Sequence, residues 1–269
     1  MKQLKAEVTK NINSGPFMHM TLKSSHLFEK AQPGQFIMFQ AAHPPLPLLR
    51  RPFGIHNIWT ESNKSESCGI TLLYQVVGKG TKIMAGLNAG SKVDVIGPLG
   101  KGFSKCNTEK AVLVAGGVGV APLSYLADKL VSAGQKVVLL TGARTKDLLY
   151  TENFPDSVDV IVATDDGSEG IRGPVTAALE ALLDEDSRET TIYAAGPKGM
   201  LQRIADLAAL YEANCELSLE AFMACGIGAC YGCTIKAIGQ DGEPAYLRVC
   251  KDGPVFNSRK IISFKGEPG

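Results

Sequence analysis

Four cysteines near the end of the chain constrain it more than any other feature. They stand in Glu220-Ala-Phe-Met-Ala-Cys225-Gly-Ile-Gly-Ala-Cys230-Tyr-Gly-Cys233, with Cys250 further on. Three thiols crowd one loop at C-x4-C-x2-C spacing and the fourth stands apart, a pattern that suits a 2Fe-2S cluster, whose irons need thiolates converging on one small volume. Gly226, Gly228 and Gly232 are expected to take positive φ and turn backbone N–H groups towards the sulfurs. A structural zinc is the alternative use of four thiolates, although zinc sites commonly pair their cysteines as two short hooks. Disulfides fit less well: seven cysteines is an odd number, and Met1 to Lys10 lacks the apolar stretch of a secretory signal. Cys68, Cys106 and Cys215 are left as ordinary thiols.

A length of 269 residues allows two or three compact units, and 45% hydrophobic residues are enough for real cores. The net charge of +1 argues against a nucleic-acid partner. The most apolar run, Ala111 to Leu123, is broken by Gly116, Gly117 and Gly119, so no membrane span is expected.

Between Leu4 and Pro98 short β-like runs (Glu7 to Asn11, His19 to Leu22, Gln35 to Gln40, Phe53 to Trp59, Gly69 to Val77, Lys92 to Ile96) alternate with turns such as Gln32-Pro33-Gly34. This spacing predicts a small antiparallel barrel. Pro44, Pro45 and Pro47 make a stiff approach to Arg50-Arg51-Pro52-Phe53-Gly54. The stretch Arg51-Pro-Phe-Gly resembles the Arg-Pro-x-Ser signature of ferredoxin-reductase-like flavoproteins. That resemblance implies that Arg51 pairs with the FAD pyrophosphate while Pro52, Phe53 and Gly54 line the flavin. A guanidinium fork suits that role, because it binds phosphate oxygens two at a time. Leu73-Tyr74-Gln75-Val-Val-Gly78-Lys-Gly80-Thr81 is similar to the same superfamily's Tyr-Arg-x-x-Gly-x-Gly-Thr, which implies phosphate contacts from Gly80 and the Thr81 hydroxyl at the start of a short helix over 81–85. Gly54 replaces a usual Ser and Gln75 a usual Arg, which removes one hydrogen bond near the flavin and one positive charge near the phosphates.

After a glycine-rich connector, Gly97 to Phe103, strands alternate with helices: strands over 111–115, 136–141, 158–163 and 191–195, helices over 122–133, 175–183 and 200–211. Such alternation predicts a doubly wound parallel sheet. The first strand runs into Gly116-Gly117-Val-Gly119-Val-Ala-Pro122, where Pro122 excludes the G-x-G-x-x-G fingerprint. The loop instead resembles the Gly-Gly-x-Gly-x-Ala-Pro loop of ferredoxin-reductase pyridine-nucleotide domains, and Ala195-Gly196-Pro197-Lys-Gly-Met200 their Cys-Gly-Pro-x-x-Met, with Ala195 in place of the Cys. A bare glycine backbone ahead of a helix N-terminus is a sound phosphate cradle. Asp165 and Asp166 close a strand, where two carboxylates suit ribose hydroxyls and repel a 2′-phosphate, favouring NAD over NADP, although Arg144 leaves this open. The four histidines, His19, His26, His43 and His56, show no ligand spacing and are expected on the surface or satisfied in a core.

The order of these signatures, with Leu49-Arg-Arg-Pro52, Gly97-Pro-Leu-Gly-Lys-Gly-Phe103, Thr164-Asp-Asp-Gly-Ser168 and Met223-Ala-Cys-Gly-Ile-Gly-Ala-Cys230-x-Gly-Cys233, resembles the electron-transfer subunits of class 1B dihydroorotate dehydrogenases. The resemblance implies three parts: an FAD-binding antiparallel β-barrel (1–104), an NAD-binding doubly wound α/β domain (105–214) and a small 2Fe-2S domain (215–269). It implies ligands Cys225, Cys230, Cys233 and Cys250, and an FMN-containing catalytic partner in a cytoplasmic heterotetramer of pyrimidine biosynthesis. The cluster should then face that partner through an exposed patch around Met223, Ile227 and Tyr231. A related NADH-dependent ferredoxin reductase, a hydrogenase- or sulfide-type reductase subunit, and a redox sensor without turnover remain alternatives.

Overall fold

The structure, a computed structural model, describes residues 2–24, 28, 30–40, 48–60, 68–185, 187 and 189–263. Pro44, Pro45, Pro47, His26 and His43 lie outside the described residues.

The first part is a seven-stranded sheet built from β1 (Lys2–Ser14), β2 (Phe17–Ser24), β3 (Phe36–Gln40), β4 (Arg51–Gly54), β5 (Asn57–Thr60), β6 (Cys68–Tyr74) and β7 (Lys92–Leu99), with α1 (Lys79–Ala85) between the last two. All its pairings are antiparallel, in the order β4-β3-β7-β1-β2-β6-β5. The predicted run Phe53 to Trp59 is therefore two strands at opposite ends of this order. Between them the Ile55 N–H bonds the Gln35 carbonyl and the His56 N–H bonds the Thr71 carbonyl, so the chain crosses from one edge of the sheet to the other at Ile55-His56 and the sheet curls into a half-barrel. Phe39, Ile55, Ile70, Leu72 and Tyr74 fill the interior. The expected strand over 69–77 stops at Tyr74, because the chain turns there into α1.

The second sheet comprises β8 (Lys110–Gly116), β9 (Lys136–Ala143), β10 (Asp159–Thr164), β11 (Ile171–Arg172), β12 (Thr190–Ala195) and β13 (Asn214–Ser218), with α2 (Ala121–Ser132), α3 (Val175–Glu185) and α4 (Lys198–Leu210). These strands pair in parallel in the order β11-β10-β9-β8-β12-β13. Burial on both faces explains their continuous apolar runs: Val112 and Val114 face α3 and α4, whereas Ala111, Leu113 and Ala115 face α2. The strand order reverses between β8 and β12, the switch point at which open α/β sheets bind ligands.

The last part holds β14 (Thr234–Ile238), β15 (Pro244–Arg248), the single-turn α5 (Val249–Asp252), β16 (Val255–Asn257) and β17 (Ile261–Ser263). Its strands β15, β14 and β17 form a small antiparallel sheet, but β16 pairs with β13 and extends the nucleotide sheet. The division at 214/215 thus cuts off a strand that is hydrogen-bonded in parallel to β12, and the nucleotide sheet continues to Ser218. One apolar core contains Phe36 and Met38 of the barrel, Val112 and Leu201 of the nucleotide domain, and Cys233 and Cys250 of the last part.

A polar seam also joins barrel to nucleotide domain. Asn57 donates to Asp128 of α2, the Tyr125 hydroxyl donates to the Ala31 carbonyl, and His56 Nδ1 lies 3.1 Å from the Ala121 carbonyl. His56 is fully buried, yet among the described residues its Nε2 has no hydrogen-bond partner, a departure from the satisfied core histidine expected. Burial outweighs the bond to Ala121 and lowers its pKa from 6.5 to about 4. The unfolded chain therefore binds this proton more readily than the folded one, so stability present above pH 6.5 should drain away as pH falls towards 4. The loss can reach about 3 kcal/mol, several degrees in melting temperature. Melts at pH 7.5 and 4.5 should show a clearly smaller drop in His56→Gln, with some slope left from His19, whose pKa burial also lowers. Equal drops in both proteins would contradict this role.

Candidate functional site

A cavity of about 440 Å³ lies where the three parts meet. One wall is Pro52, Phe53 and Gly54 of β4 with Leu73, Tyr74, Gln75 and Thr81. A second is Val118, Ala121 and Pro122 from the glycine loop after β8. The third is Ser218, Leu219, Glu220, Ala221 and Met223, the segment that runs directly into Cys225. Its size falls in the range of small-molecule pockets.

Seven of the residues singled out from the barrel sequence therefore line one space: Pro52, Phe53, Gly54, Leu73, Tyr74, Gln75 and Thr81. Arg51 and Gly80 belong beside it. A Cβ on Gly80 would come within 2.5 Å of Arg51 Nε, so the bare glycine lets the guanidinium lie across α1. The neighbouring arginine does other work: Arg50 pairs with Asp94 at 2.6 Å and donates to its carbonyl at 3.0 Å. Thr81 lines the cavity and is also engaged within its own turn. Its hydroxyl accepts from the Val77 and Gly78 N–H groups at 3.0 and 3.1 Å and donates to the Gly78 carbonyl, so it caps its own helix. A side chain at Gly54 would meet only Pro122, at 3.6 Å, so the small residue there is not imposed by packing.

Gly116, Gly119, Gly196 and Pro197 come together at the ends of β8 and β12. A Cβ on Gly119 would overlap the Ala195 carbonyl, and one on Gly116 would lie 2.7 Å from both Met200 Sδ and Pro197 Cδ. Gly117 takes φ 53° with open space where a side chain would stand, which leaves its backbone accessible. Asp165 and Asp166 lie two strands away at the same edge of the sheet and are exposed. Asp166 is engaged locally, accepting from the Ser168 hydroxyl and N–H, and these bonds hold its carboxyl below the usual range. The structure does not bring either aspartate into the cavity.

The cysteines gather beside the third wall. Cys250 rides on α5, and its N–H points at Cys233 Sγ over 3.4 Å, while the Val249 N–H bonds the Cys233 carbonyl. Burial, then the adjoining Cys233, pushes Cys250 up to about 12. At Cys225 burial acts upward too, but the N–H groups of Ile227, Cys230 and Ala229 and the Cys230 thiol outweigh it and bring the thiol to about 6. Contacts thus pair Cys225 with Cys230 and Cys233 with Cys250. Among the described residues no three His, Cys, Asp or Glu side chains converge tightly enough to hold one metal ion. A two-iron cluster takes its thiolates as two pairs, one pair to each iron.

The loop's backbone fits the same reading. Gly226 and Gly228 take φ 71° and 83°, and side chains there would strike Met38 and Lys251 respectively. The third left-handed residue is Tyr231, at φ 58°, and not Gly232 as expected. On the surface, Ile227 and Tyr231 are exposed, but Met223 turns inward to the cavity, and Phe222, 99% exposed, occupies the outer face in its stead. Two further residues belong to the site without any local signal of their role. Glu220 lines the cavity with its side chain still open to solvent, and the surrounding walls desolvate its carboxyl enough to raise its pKa, while Arg248 reaches over the cysteine loop.

A barrel cavity shared with a glycine-loop nucleotide sheet and flanked by paired thiols defines an electron-transfer flavoprotein of the ferredoxin-reductase type. Comparison with known proteins narrows this. Residues 220–262 match the iron-sulfur cluster binding domain of dihydroorotate dehydrogenase B, and residues 113–206 match the oxidoreductase NAD-binding domain. The dihydroorotate dehydrogenase B (NAD+) electron transfer subunit of Geobacillus kaustophilus is 41% identical over 90% of this chain and 91% of its own length. That of Bacillus cereus is 37% identical over 95% of each. Among solved structures, a chain of an NADH-dependent reduced ferredoxin-NADP oxidoreductase superposes with TM-score 0.81 at 29% identity, covering 95% of this chain and 89% of that one. A ferredoxin reductase of carbazole 1,9a-dioxygenase shares the fold at 21% identity, with TM-score 0.64 over 78% of this chain and 65% of that one. The chain belongs to the family of dihydroorotate dehydrogenase B electron transfer subunits.

Proposed function

We propose that this chain is the electron-transfer subunit of an NAD-dependent dihydroorotate dehydrogenase, carrying electrons between a catalytic partner and NAD through FAD and a 2Fe-2S cluster. One observation carries the reading: a single cavity is walled by the barrel, by the glycine loop of the nucleotide sheet and by the segment leading into Cys225. A flavin exchanges electron pairs with nicotinamide and single electrons with iron-sulfur clusters, so it belongs between the two.

In this reading Arg51 pairs with the FAD pyrophosphate and the backbone around Gly80 lets it approach. Pro52, Phe53, Gly54, Leu73, Tyr74, Gln75 and Thr81 hold the flavin against Met223. Gly116, Gly117 and Gly119 cradle the NAD phosphates at the N-terminus of α2, Gly196 and Pro197 border the nicotinamide, and Asp165 and Asp166 serve the ribose. Cys225, Cys230, Cys233 and Cys250 hold the cluster. No side chain is required as acid or base; the chain positions, excludes water and tunes. No helix among the described residues is long and apolar enough to cross a membrane. We place the protein in the cytoplasm, where thiols stay reduced and available to iron. The catalytic partner contains FMN, and the two subunits form a heterotetramer.

The partner docks on the face carrying Phe222, Ile227 and Tyr231, since an electron passing from the partner's FMN to the cluster must cross a short gap. A fully exposed phenylalanine beside a cofactor loop suits an interface anchor. Phe222→Asp should weaken partner binding by about 2 kcal/mol or more and leave NADH oxidation by an artificial acceptor at the wild-type rate. Loss of both activities together would refute the docking face, and co-purification with a partner lacking FMN would refute the assigned reaction.

A further inference from the structure

We infer that Arg248 is the positioning residue of the cysteine loop, shaping it before iron arrives and laying a fixed positive charge beside the ligand cysteines. The inference rests on the cluster reading given above. Arg248 immediately precedes α5, the turn that bears Cys250. Its backbone N–H and its Nε both donate to Asp252 Oδ2, at 2.9 and 3.1 Å, which fixes the plane of the guanidinium. From that plane Nη1 donates to the Gly228 carbonyl at 3.1 Å and reaches the Tyr231 hydroxyl at 3.4 Å. The guanidinium also stacks on the Tyr231 ring, 4.9 Å from its centroid.

The residues it grips are the left-handed ones on either side of Cys230. Gly228 tolerates φ 83°, but Tyr231 at φ 58° carries a Cβ that this conformation disfavours, and it stays only if neighbours hold it. A ring stacked beneath a cation that is itself anchored on α5 does so. The loop with three cysteines is thereby tied to the turn with the fourth through protein contacts alone. Both partners of the anchoring pair are largely shielded, at 19% and 25% side-chain exposure, so the pair is less screened than a free surface bridge. A lysine could supply the charge but neither the planar fork nor the stack. The charge has its own consequence, because reducing a cluster adds negative charge nearby and a fixed cation favours the reduced form.

The test uses the full chain with its flavin content as the check on folding, since Arg248 does not line the flavin cavity. Arg248→Gln should slow iron-sulfide uptake by the apoprotein about tenfold, alter the line shape of the reduced cluster's paramagnetic resonance and lower its midpoint potential. Arg248→Lys should show the same uptake and line-shape defects with a potential close to wild type. Asp252→Asn, which keeps the cation but removes its anchor, should slow uptake less and raise the potential. Wild-type uptake, line shape and potential in Arg248→Gln would overturn the inference, and so would full rescue of uptake by Lys. A wild-type chain that takes up no iron would strike instead at the cluster reading itself.

Discussion

Cys250→Ser should yield a flavoprotein that still oxidises NADH with an artificial acceptor but delivers electrons to its partner at least about 100-fold more slowly. The serine hydroxyl is nearly the size of the thiol but does not ionise near neutrality, so the pair formed with Cys233 loses an iron ligand. The fold should persist. Cys250 is 2% exposed and packs in the core shared by all three parts, so the added cost is that of burying one hydroxyl, about 1 to 2 kcal/mol. The flavin cavity is lined by other residues and should keep its cofactor. Iron content, visible spectrum and the two activities measured side by side decide the matter. Undiminished delivery from a Cys250→Ser protein would remove Cys250 from the ligand set, and simultaneous loss of flavin would mean that cluster and cavity are one cooperative unit.

Arg51→Ala should lower FAD affinity by about 10- to 100-fold, the worth of one or two charge-assisted hydrogen bonds to phosphate. Its neighbour supplies the control. Arg50 spends its guanidinium on Asp94, both side chains 16% exposed, and the carboxyl is held low by Gln3, Arg50 and Lys5 against the upward pull of burial. Arg50→Ala should therefore destabilise the barrel and leave FAD affinity in the folded protein unchanged. Reconstitution of the two apoproteins with FAD, followed by flavin fluorescence, separates these outcomes. Equal affinity of Arg51→Ala and wild type would contradict the assignment.

Local signals carried much of the account. Cysteine spacing, the Gly116 to Pro122 loop and the alternation of strands with helices after residue 110 are short-range patterns, and each marks a feature present in the structure. What stayed hidden depends on contacts between distant residues. The motif singles out Arg51, but nothing local tells what Arg50 does, because its partner Asp94 lies on β7. A continuous β-like run from Phe53 to Trp59 gives no sign that its halves pair with β3 and β6 at the two ends of the sheet. Glycine at position 232 invited the left-handed conformation that Tyr231 adopts, because the deciding partner, Arg248, lies seventeen residues on. Met223 and Phe222 exchanged roles for a similar reason: only the cavity's position shows which of two adjacent apolar side chains turns inward.

Anaerobic titration of the isolated chain with NADH, followed by visible absorption and paramagnetic resonance, tests the relay most directly. The account predicts that NADH bleaches the flavin and that the cluster signal then develops without any partner, because both centres and the path between them lie in this one chain. A protein with its cysteines intact that bleaches its flavin while bearing no iron, or whose cluster stays oxidised throughout, would contradict it.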